Sequence, residues 1–249
     1  MKLNCLKALK GERKIVALTA YDCLMAGLLE ECGVDLILVG DSLGMVVLGE
    51  KDTKGVTAAD IKRHAQAVMR GAPGSLVVAD LPLESCVSVE KAIQDARKIG
   101  CKYVKAEGKP EMVSALKEAG FEVMGHTGLK PQEDEGFRVQ GKGEDSERIV
   151  EEARAIEAAG AFCLVLECVP ADLAREITGL LEIPTIGIGA GAGCDGQILV
   201  LPDMLGLNPG FEPKFLRKYG DLHAVAKKAV LGYKKDVVEG DFPSERESY

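Results

Sequence analysis

Short runs of aliphatic and β-branched residues recur along the whole chain, and most end in a polar residue or a glycine. Within each run the apolar positions are continuous rather than alternating, which is typical of parallel strands covered by helices. The pattern predicts strands at residues 15–19, 36–39, 76–79, 103–106, 122–125, 163–166, 185–188 and 197–201.

The segments between these runs carry apolar residues at helical spacing. One of them places Ile61, Ala65 and Val68 on a single face. The pattern predicts helices at residues 21–32, 58–71, 89–100, 110–119, 145–160, 171–181 and 221–239. Several of these segments close with a glycine where a helix C-cap would fall, namely Gly33, Gly71, Gly100, Gly120 and Gly160.

Strands alternating with helices over 249 residues predict a (β/α)8 TIM barrel, a fold that commonly has this length. No linker or low-complexity tract interrupts the pattern, so we expect one TIM-barrel domain over residues 1–249. A doubly wound open sheet is the alternative arrangement of the same elements.

Composition narrows the functional classes. The net charge is −8 and no basic block stands out, which argues against a nucleic-acid partner. The apolar runs are too short to span a bilayer, so no membrane association is expected. The eight cysteines form no C-x-x-C pair, and the first residues lack a secretory pattern. Reduced, mostly buried thiols in a cytoplasmic protein are therefore expected.

Ionisable or hydrogen-bonding residues end nearly every predicted strand. In a parallel barrel, catalytic groups come from the carboxyl ends of the strands and the loops that follow them. The strand-end residues are Tyr21, Asp22, Asp41, Ser42, Asp80, Lys105, Glu107, His126, Glu167 and glycines 189–193.

Asp41 and Asp80 are candidate metal ligands. A lone aspartate after a strand is more often a helix N-cap or a turn residue. Both, however, follow strongly apolar runs and would project into the same barrel mouth. Two carboxylates, completed by water and a bidentate substrate, suit magnesium. We therefore predict that the pair binds a divalent metal.

Lys105, Glu107 and Glu167 are the other candidate functional residues. Lys105 and Glu107 lie two positions apart on a strand and share one face, so they could converge on the barrel mouth or form a structural ion pair. Glu167 follows an apolar run, and desolvation there makes it a candidate general base. His126 is either a substrate contact or a structural histidine.

A glycine-rich segment over residues 187–193 formally matches the looser dinucleotide fingerprint. The signal is weak because no acidic strand end follows about twenty residues later. We interpret the segment as a barrel rim where the backbone approaches a ligand or a neighbouring strand closely. A phosphate site after the seventh strand is the alternative.

Seven segments together resemble the ketopantoate (3-methyl-2-oxobutanoate) hydroxymethyltransferase family, from about residue 14 to the C-terminus. The order of GDSLGM and GIGAG…DGQ is more specific than any single glycine motif. The segments are LTAYD (18–22), LVGDSLGMVVLG (38–49), RGAPGSLVVADLP (70–82), VKAEG (104–108), GFRVQGK (136–142), AGAFCLVLECVP (159–170) and IPTIGIGAGAGCDGQILV (183–200).

The resemblance implies transfer of a hydroxymethyl group from 5,10-methylenetetrahydrofolate to 3-methyl-2-oxobutanoate, giving 2-dehydropantoate for pantothenate biosynthesis. It also implies a barrel similar to the phosphoenolpyruvate mutase/isocitrate lyase group, one Mg²⁺ per subunit and a large homo-oligomer, often a decamer. The keto acid would chelate the metal, which would stabilise the enolate formed at C3.

The family pattern assigns roles to the strand-end residues. Asp41 and Asp80 match its magnesium-binding carboxylates, and Glu107 matches a further acidic residue at the metal. The substrate-contacting positions match Asp41, Ser42, Asp80 and Lys105, and the proton acceptor matches Glu167.

The chain departs from the family pattern after the fifth strand. Thr127 and Lys130 stand where the family more often has leucine and threonine, and an acidic loop follows at residues 133–135. Two other functions would use the same fold. One is a metal-dependent carbon–carbon lyase of the related barrel group, with Cys168 as the nearby cysteine, and the other is a non-catalytic oligomer.

Overall fold

Eight parallel strands form a closed barrel in which β1 pairs with β8. The computed structural model of the chain describes residues 6–132, 136 and 138–249. The predicted (β/α)8 barrel is confirmed, because closure rules out the open doubly wound sheet. The strands are β1 Ile15–Thr19, β2 Leu36–Val39, β3 Leu76–Asp80, β4 Tyr103–Glu107, β5 Glu122–Gly128, β6 Cys163–Glu167, β7 Thr185–Ile188 and β8 Gly196–Leu199.

Strands β3 to β6 extend one to three residues beyond the predicted ends. The ladder continues there, pairing Asp80 with Lys105 and Glu107 with His126. Glu167 is likewise the last residue of β6 and pairs with β5. These side chains therefore stand on hydrogen-bonded strand ends, and their positions are set more rigidly than loop positions would be.

The surrounding helices begin and end within two residues of the predicted bounds. The first one starts later than predicted because Asp22, one of the strand-end candidates, is its N-cap and accepts a hydrogen bond from the Met25 N–H. The helices of the barrel are α1 Cys23–Glu31, α2 Ala58–Gly71, α3 Val89–Ile99, α4 Pro110–Glu118, α5 Asp145–Ala158 and α6 Ala171–Leu180.

Two glycines at helix ends have different functions. Gly100 is the left-handed C-cap of α3, with φ 76°, as predicted. The C-cap prediction for Gly71 was wrong, because Gly71 is the last residue of α2 and Ala72 is the cap. A Cβ at Gly71 would lie 2.2 Å from the carbonyl oxygen of Cys23. Gly71 is therefore required by the close packing of α1 against α2.

A π-helix at Gly44–Leu48 follows the loop that carries Asp41 and Ser42, and the hydrophobic pattern did not predict it. A Cβ at Gly44 would lie 2.8 Å from Val56 Cγ2, so this glycine allows the returning segment to pack closely. Short π-helical segments are frequent at functional sites.

The barrel interior is filled by aliphatic side chains together with Met124, Phe162 and Cys163. Among the described cysteines, Cys23 and Cys32 are exposed, five are buried, and all are free thiols. The prediction of reduced, mostly buried thiols is thereby confirmed for these residues; Cys5 lies outside the described residues, as does the acidic loop 133–135.

The chain separates into two compact units, Met1–Val200 and Leu201–Tyr249. The second contains α7 Leu201–Met204 and α8 Leu222–Glu239, and none of the residues of α8 is buried. The single TIM-barrel domain over residues 1–249 stays a prediction. In the described part of the chain, no helix combines the length and the apolar character needed to cross a membrane.

Candidate active site

Charged side chains from neighbouring strands are buried together at the carboxyl ends of the barrel strands. The ladder pairs Asp80 of β3 with Lys105 of β4, and Glu107 of β4 with His126 of β5, so these residues lie side by side. The structure therefore brings together the predicted carboxylates, the lysine and the histidine. The buried members are Asp41, Asp80, Lys105, Glu107 and His126.

Lys105 lies at the centre of this cluster. Its Nζ donates hydrogen bonds to both carboxylate oxygens of Asp80, at 3.0 and 2.9 Å, and to Glu107 Oε1 at 3.1 Å. Burial opposes a charge on Lys105, but the surrounding carboxylates hold its pKa well above the usual range. The lysine is therefore a fixed positive charge.

Asp41 and Asp80 lie close together, and neighbouring positive charge compensates their negative charges less fully than it compensates that of Glu107. The Asp41 backbone N–H points at Asp80 Oδ2, 3.4 Å away. Burial and the charge of Asp80 raise the pKa of Asp41 to about 8. Burial also raises the pKa of Asp80, although Lys105 opposes that shift. Two neighbouring buried carboxylates are costly to ionise together, and a bound divalent cation would stabilise their charged forms.

The donor set fits magnesium. Its members are hard oxygen atoms, and buried Glu107 Oε2 has no hydrogen-bond partner among the described residues. No three His, Cys, Asp or Glu side chains form a preassembled metal cluster in that part of the chain. Magnesium, however, is commonly held by one or two carboxylates, with water and substrate oxygens completing the octahedron. Asp41 and Asp80 meet that requirement.

His126 lies between two carboxylates. Its Nδ1 is 3.1 Å from Glu107 Oε1, and its Nε2 is 3.3 Å from Glu167 Oε2, although the latter contact is not aligned as a hydrogen bond. Burial opposes protonation, yet Glu107 raises the pKa of His126 to about 9. Lys105 and His126 overcome the effect of burial on Glu107 and lower its pKa to about 2.

Ser42 and Glu167 are less buried than the central cluster. The Ser42 hydroxyl hydrogen-bonds to the Tyr21 hydroxyl at 2.8 Å, and His64 Nδ1 lies 2.6 Å from the Tyr21 carbonyl oxygen. The Glu167 side chain is 12% exposed. It can therefore reach a bound molecule while keeping its contact with His126.

Sequence reasoning missed Gln132. Its buried side-chain amide donates to Asp41 Oδ2 and to the Leu81 carbonyl oxygen, each at 2.9 Å. The residue lies in the loop after β5, where no periodicity marks a buried position. Its only sequence signal is a polar residue following Pro131 beyond a strand that ends in the site.

Thr127 and Lys130 share one partner in the structure. Thr127 Oγ1 donates to Glu152 Oε2 at 2.9 Å, and Lys130 Nζ donates to Glu152 Oε1 at 3.0 Å. Glu152 lies on α5. The two hydrogen bonds thus tie the end of β5 and the segment after it to a neighbouring helix.

The glycine-rich segment after β7 packs closely against α6. A Cβ at Gly191 would lie 2.5 Å from Ala171 Cβ, and one at Gly193 would lie 2.9 Å from Arg175 Cβ. A close backbone approach was predicted, but at these two positions the neighbour is a helix rather than a strand. The phosphate site stays an untested alternative.

The chain is similar to known proteins both in sequence and in fold. The family model of ketopantoate hydroxymethyltransferase matches residues 1–245. The 3-methyl-2-oxobutanoate hydroxymethyltransferase of Syntrophus aciditrophicus is 52% identical, covering 96% of this chain and 92% of that protein. The enzyme of the same name from Thermotoga maritima is 47% identical, covering 100% and 96%.

Solved structures with a similar fold have low sequence identity. A 2,3-dimethylmalate lyase described as a phosphoenolpyruvate mutase/isocitrate lyase superfamily member has a TM-score of 0.66 at 18% identity, covering 99% of this chain and 88% of that one. Phosphonopyruvate hydrolase, solved with oxalate and Mg²⁺, has a TM-score of 0.64 at 15% identity, covering 99% and 93%. These structures confirm the predicted fold group.

The sequence matches extend over nearly the whole of this chain and of its relatives. The barrel and the buried strand-end cluster lie within the matched residues. The chain therefore belongs to the ketopantoate hydroxymethyltransferase family.

Proposed function

We propose that the protein transfers a hydroxymethyl group from 5,10-methylenetetrahydrofolate to 3-methyl-2-oxobutanoate, giving 2-dehydropantoate in pantothenate biosynthesis. The family assignment supports this reaction. The structural observation that carries the proposal is the buried cluster of Asp41, Asp80, Lys105 and Glu107 at the barrel mouth. Its oxygen donors and its fixed cation suit a 2-oxo acid bound through a metal.

The proposed cofactor is one Mg²⁺ per subunit, with Asp41 and Asp80 as ligands and Glu107 as a third carboxylate, in contact through water. Oxalate, which accompanies Mg²⁺ in the phosphonopyruvate hydrolase structure, has adjacent oxygens like those of a 2-oxo acid. When bound, the ion would supply Lewis-acid stabilisation of the enolate.

Lys105 and Ser42 are proposed to bind the substrate. Lys105 keeps its charge in the buried site, so it can offset the negative charge of the substrate carboxylate. The Tyr21 hydroxyl holds the Ser42 hydroxyl, which can then orient that carboxylate without searching several rotamers. Asp41 and Asp80 complete the substrate-binding set through the metal.

Glu167 is the proposed general base. It removes the proton from C3 of the keto acid, and the C3 electron pair forms the new carbon–carbon bond to the one-carbon unit. Water breaks the two bonds that join this unit to the folate nitrogens: its oxygen becomes the hydroxyl oxygen, and its two hydrogens go to the nitrogens of the departing tetrahydrofolate. Glu167 then returns its proton to the new alkoxide. His126 lies 3.3 Å from Glu167 Oε2 and limits the orientations of that carboxylate.

The lyase alternative gains no support at Cys168. Burial raises the pKa of its thiol to about 11, so the reactive thiolate form is disfavoured at neutral pH. Cys168 also sits directly after β6 with φ 50°, a constrained backbone position rather than a flexible loop.

The activity is tested by incubating the protein with 3-methyl-2-oxobutanoate, Mg²⁺ and methylenetetrahydrofolate and assaying 2-dehydropantoate by mass spectrometry. We expect product only when all three are present. No product at any metal concentration would contradict the proposed reaction and would return the non-catalytic alternative to consideration.

A homo-oligomer, decameric as is often found in the family, is also proposed. Apolar side chains of α8 are exposed in the isolated chain, among them Val225, Val230, Tyr233 and Val238. Exposed apolar side chains in this number on one helix favour burial against a second copy of the chain. Light scattering of the purified protein tests this; a monomer at micromolar concentration would contradict it. A cytoplasmic location stays an expectation.

A further inference from the structure

The buried amide of Gln132 connects two strand ends of the barrel mouth. We infer that Gln132 is a positioning residue that sets the orientation of the Asp41 carboxylate for metal binding. This inference rests on the proposed function, in which Asp41 is a magnesium ligand. It concerns how the ligand is held, and it assigns Gln132 no contact with the substrate.

The hydrogen bonds define the orientation of the amide. Gln132 is 3% exposed, and its Nε2 donates to Asp41 Oδ2 and to the Leu81 carbonyl oxygen, each at 2.9 Å. Both amide hydrogens are therefore used. A flipped amide would place its oxygen against two acceptors, so the buried environment selects one orientation.

The two carboxylate oxygens of Asp41 therefore have different environments. Oδ2 accepts the hydrogen bond from Gln132, so within the part of the chain that the structure describes Oδ1 is the oxygen that this bond leaves available to a metal. The bond also restrains rotation of the carboxylate about χ2. Partners of this kind, which hold a ligand without touching the metal, typically change affinity when they are removed.

The acceptor of the second hydrogen bond and the chain before Gln132 are both anchored. The Leu81 carbonyl that receives the second hydrogen bond directly follows Asp80, the other proposed ligand. Lys130, two residues before Gln132, is tied to Glu152 on α5. Gln132 therefore couples the loop after β5 to Asp41, which follows β2, and to Leu81, which follows Asp80 at the end of β3.

A purely structural role for Gln132 is the competing explanation, and metal affinity separates the two. The test is calorimetric titration of Mg²⁺ into the full-length protein without folate, comparing wild type with Gln132→Met. Methionine keeps the length of the side chain and removes both donors. We expect the Kd for Mg²⁺ to rise about 10- to 100-fold. The Mg²⁺ concentration for half-maximal activity should rise in parallel, with kcat at saturating Mg²⁺ largely retained.

Two further variants complete the experiment. Gln94→Met, on the exposed face of α3, is the matched control and should bind Mg²⁺ like wild type. Gln132→Asn keeps an amide on a shorter side chain, so we expect a smaller rise in Kd; it also serves if the methionine variant does not fold. A wild-type Kd in either folded Gln132 variant, even with a lower melting temperature, would overturn the inference. Failure of the wild-type protein to bind Mg²⁺ would instead overturn the proposed metal site on which it rests.

Discussion

At the scale of single residues, the site is governed by an excess of buried negative charge. Lys105 compensates Asp80 and Glu107 directly, and His126 adds to the compensation of Glu107. Among the residues that the structure describes, the side chain that hydrogen-bonds to the Asp41 carboxylate is the neutral amide of Gln132. Asp41 is therefore the carboxylate that gains most from a bound cation.

Replacing Lys105 tests this charge balance. Lys105→Met leaves Asp80 and Glu107 buried without their shared cation, so we expect a loss of roughly 3–5 kcal/mol in the free energy of unfolding without metal. Saturating Mg²⁺ should shrink the difference from wild type, because the ion neutralises the same carboxylates. Urea unfolding with EDTA and with Mg²⁺ measures both values.

The control for Lys105 is Lys235→Met, which removes an exposed partner of Glu239 on α8 and should cost far less. An equal loss in the two variants would show that burial of the Lys105 cluster has little energetic effect.

The residues that sequence could predict are those with a strong local signal. Asp41, Asp80, Lys105, Glu107 and Glu167 each follow or end an apolar run, and parallel-barrel geometry then predicts that they meet. Gln132 had no such signal, because its contact with Asp41 spans 91 residues and depends on the path of a loop. Likewise, no pattern could place His126 between two carboxylates.

At the scale of elements, the strand and helix cores followed from hydrophobic periodicity, while their ends depended on partners. Ladder pairing extended β3 to β6, and the N-cap Asp22 delayed the start of α1. Gly71 is another case in which a partner element, rather than the local sequence, decides the outcome. A glycine at a helix end predicted a C-cap, but the close packing of α1 against α2 is what requires glycine there.

Gly71→Ala tests the packing of α1 on α2. The added Cβ would lie 2.2 Å from the Cys23 carbonyl oxygen, so the two helices must separate. We expect a loss of about 1–3 kcal/mol in the free energy of unfolding, measured with urea. Gly179→Ala in α6, where a Cβ meets nothing within 4 Å, is the control and should be neutral or stabilising by up to about 1 kcal/mol. Equal behaviour of the two variants would contradict the packing argument.

Asp95 ties α3 to the segment Leu83–Ser85 and predicts a pH-dependent stability. Its side chain is 1% exposed and accepts hydrogen bonds from Ser85, Lys91 and Lys98. Burial would raise the pKa of Asp95, but these donors together hold it below the ordinary value. Because the folded pKa is depressed, the stabilisation is present above the unfolded pKa of about 3.9 and is lost as the pH falls through the folded value.

The expected result is a deficit of about 1–2 kcal/mol for Asp95→Asn at pH 7 that shrinks as the pH falls below about 4. Denaturant unfolding of both proteins across this range measures it. Asp172→Asn, an exposed partner of Arg175, should show a smaller and flatter difference. A deficit at Asp95 that stayed constant with pH would rule out the charged form as its source.

At the scale of the whole molecule, the barrel assembles one site from residues that are distant in sequence. Strands β3, β4 and β6 end in Asp80, Glu107 and Glu167, and β5 carries His126 near its carboxyl end. The segment after β7 instead contributes glycines that pack against α6. The 2,3-dimethylmalate lyase and the phosphonopyruvate hydrolase have the same barrel but are at most 18% identical to this chain. The fold alone therefore does not set the reaction. We therefore expect the side chains at the strand ends to set the reaction.

In the proposed reaction, Glu167 removes the C3 proton of a keto acid held by Asp41 and Asp80 through Mg²⁺. Proton NMR of 3-methyl-2-oxobutanoate in D2O, with Mg²⁺ and protein but without folate, measures this step alone as exchange of the C3 hydrogen. We predict rapid exchange with wild type and loss of exchange with Asp80→Ala. Glu167→Gln should slow exchange by about 10²- to 10⁴-fold while binding Mg²⁺ and keto acid with nearly unchanged affinity. Exchange at the wild-type rate in Glu167→Gln would contradict the account.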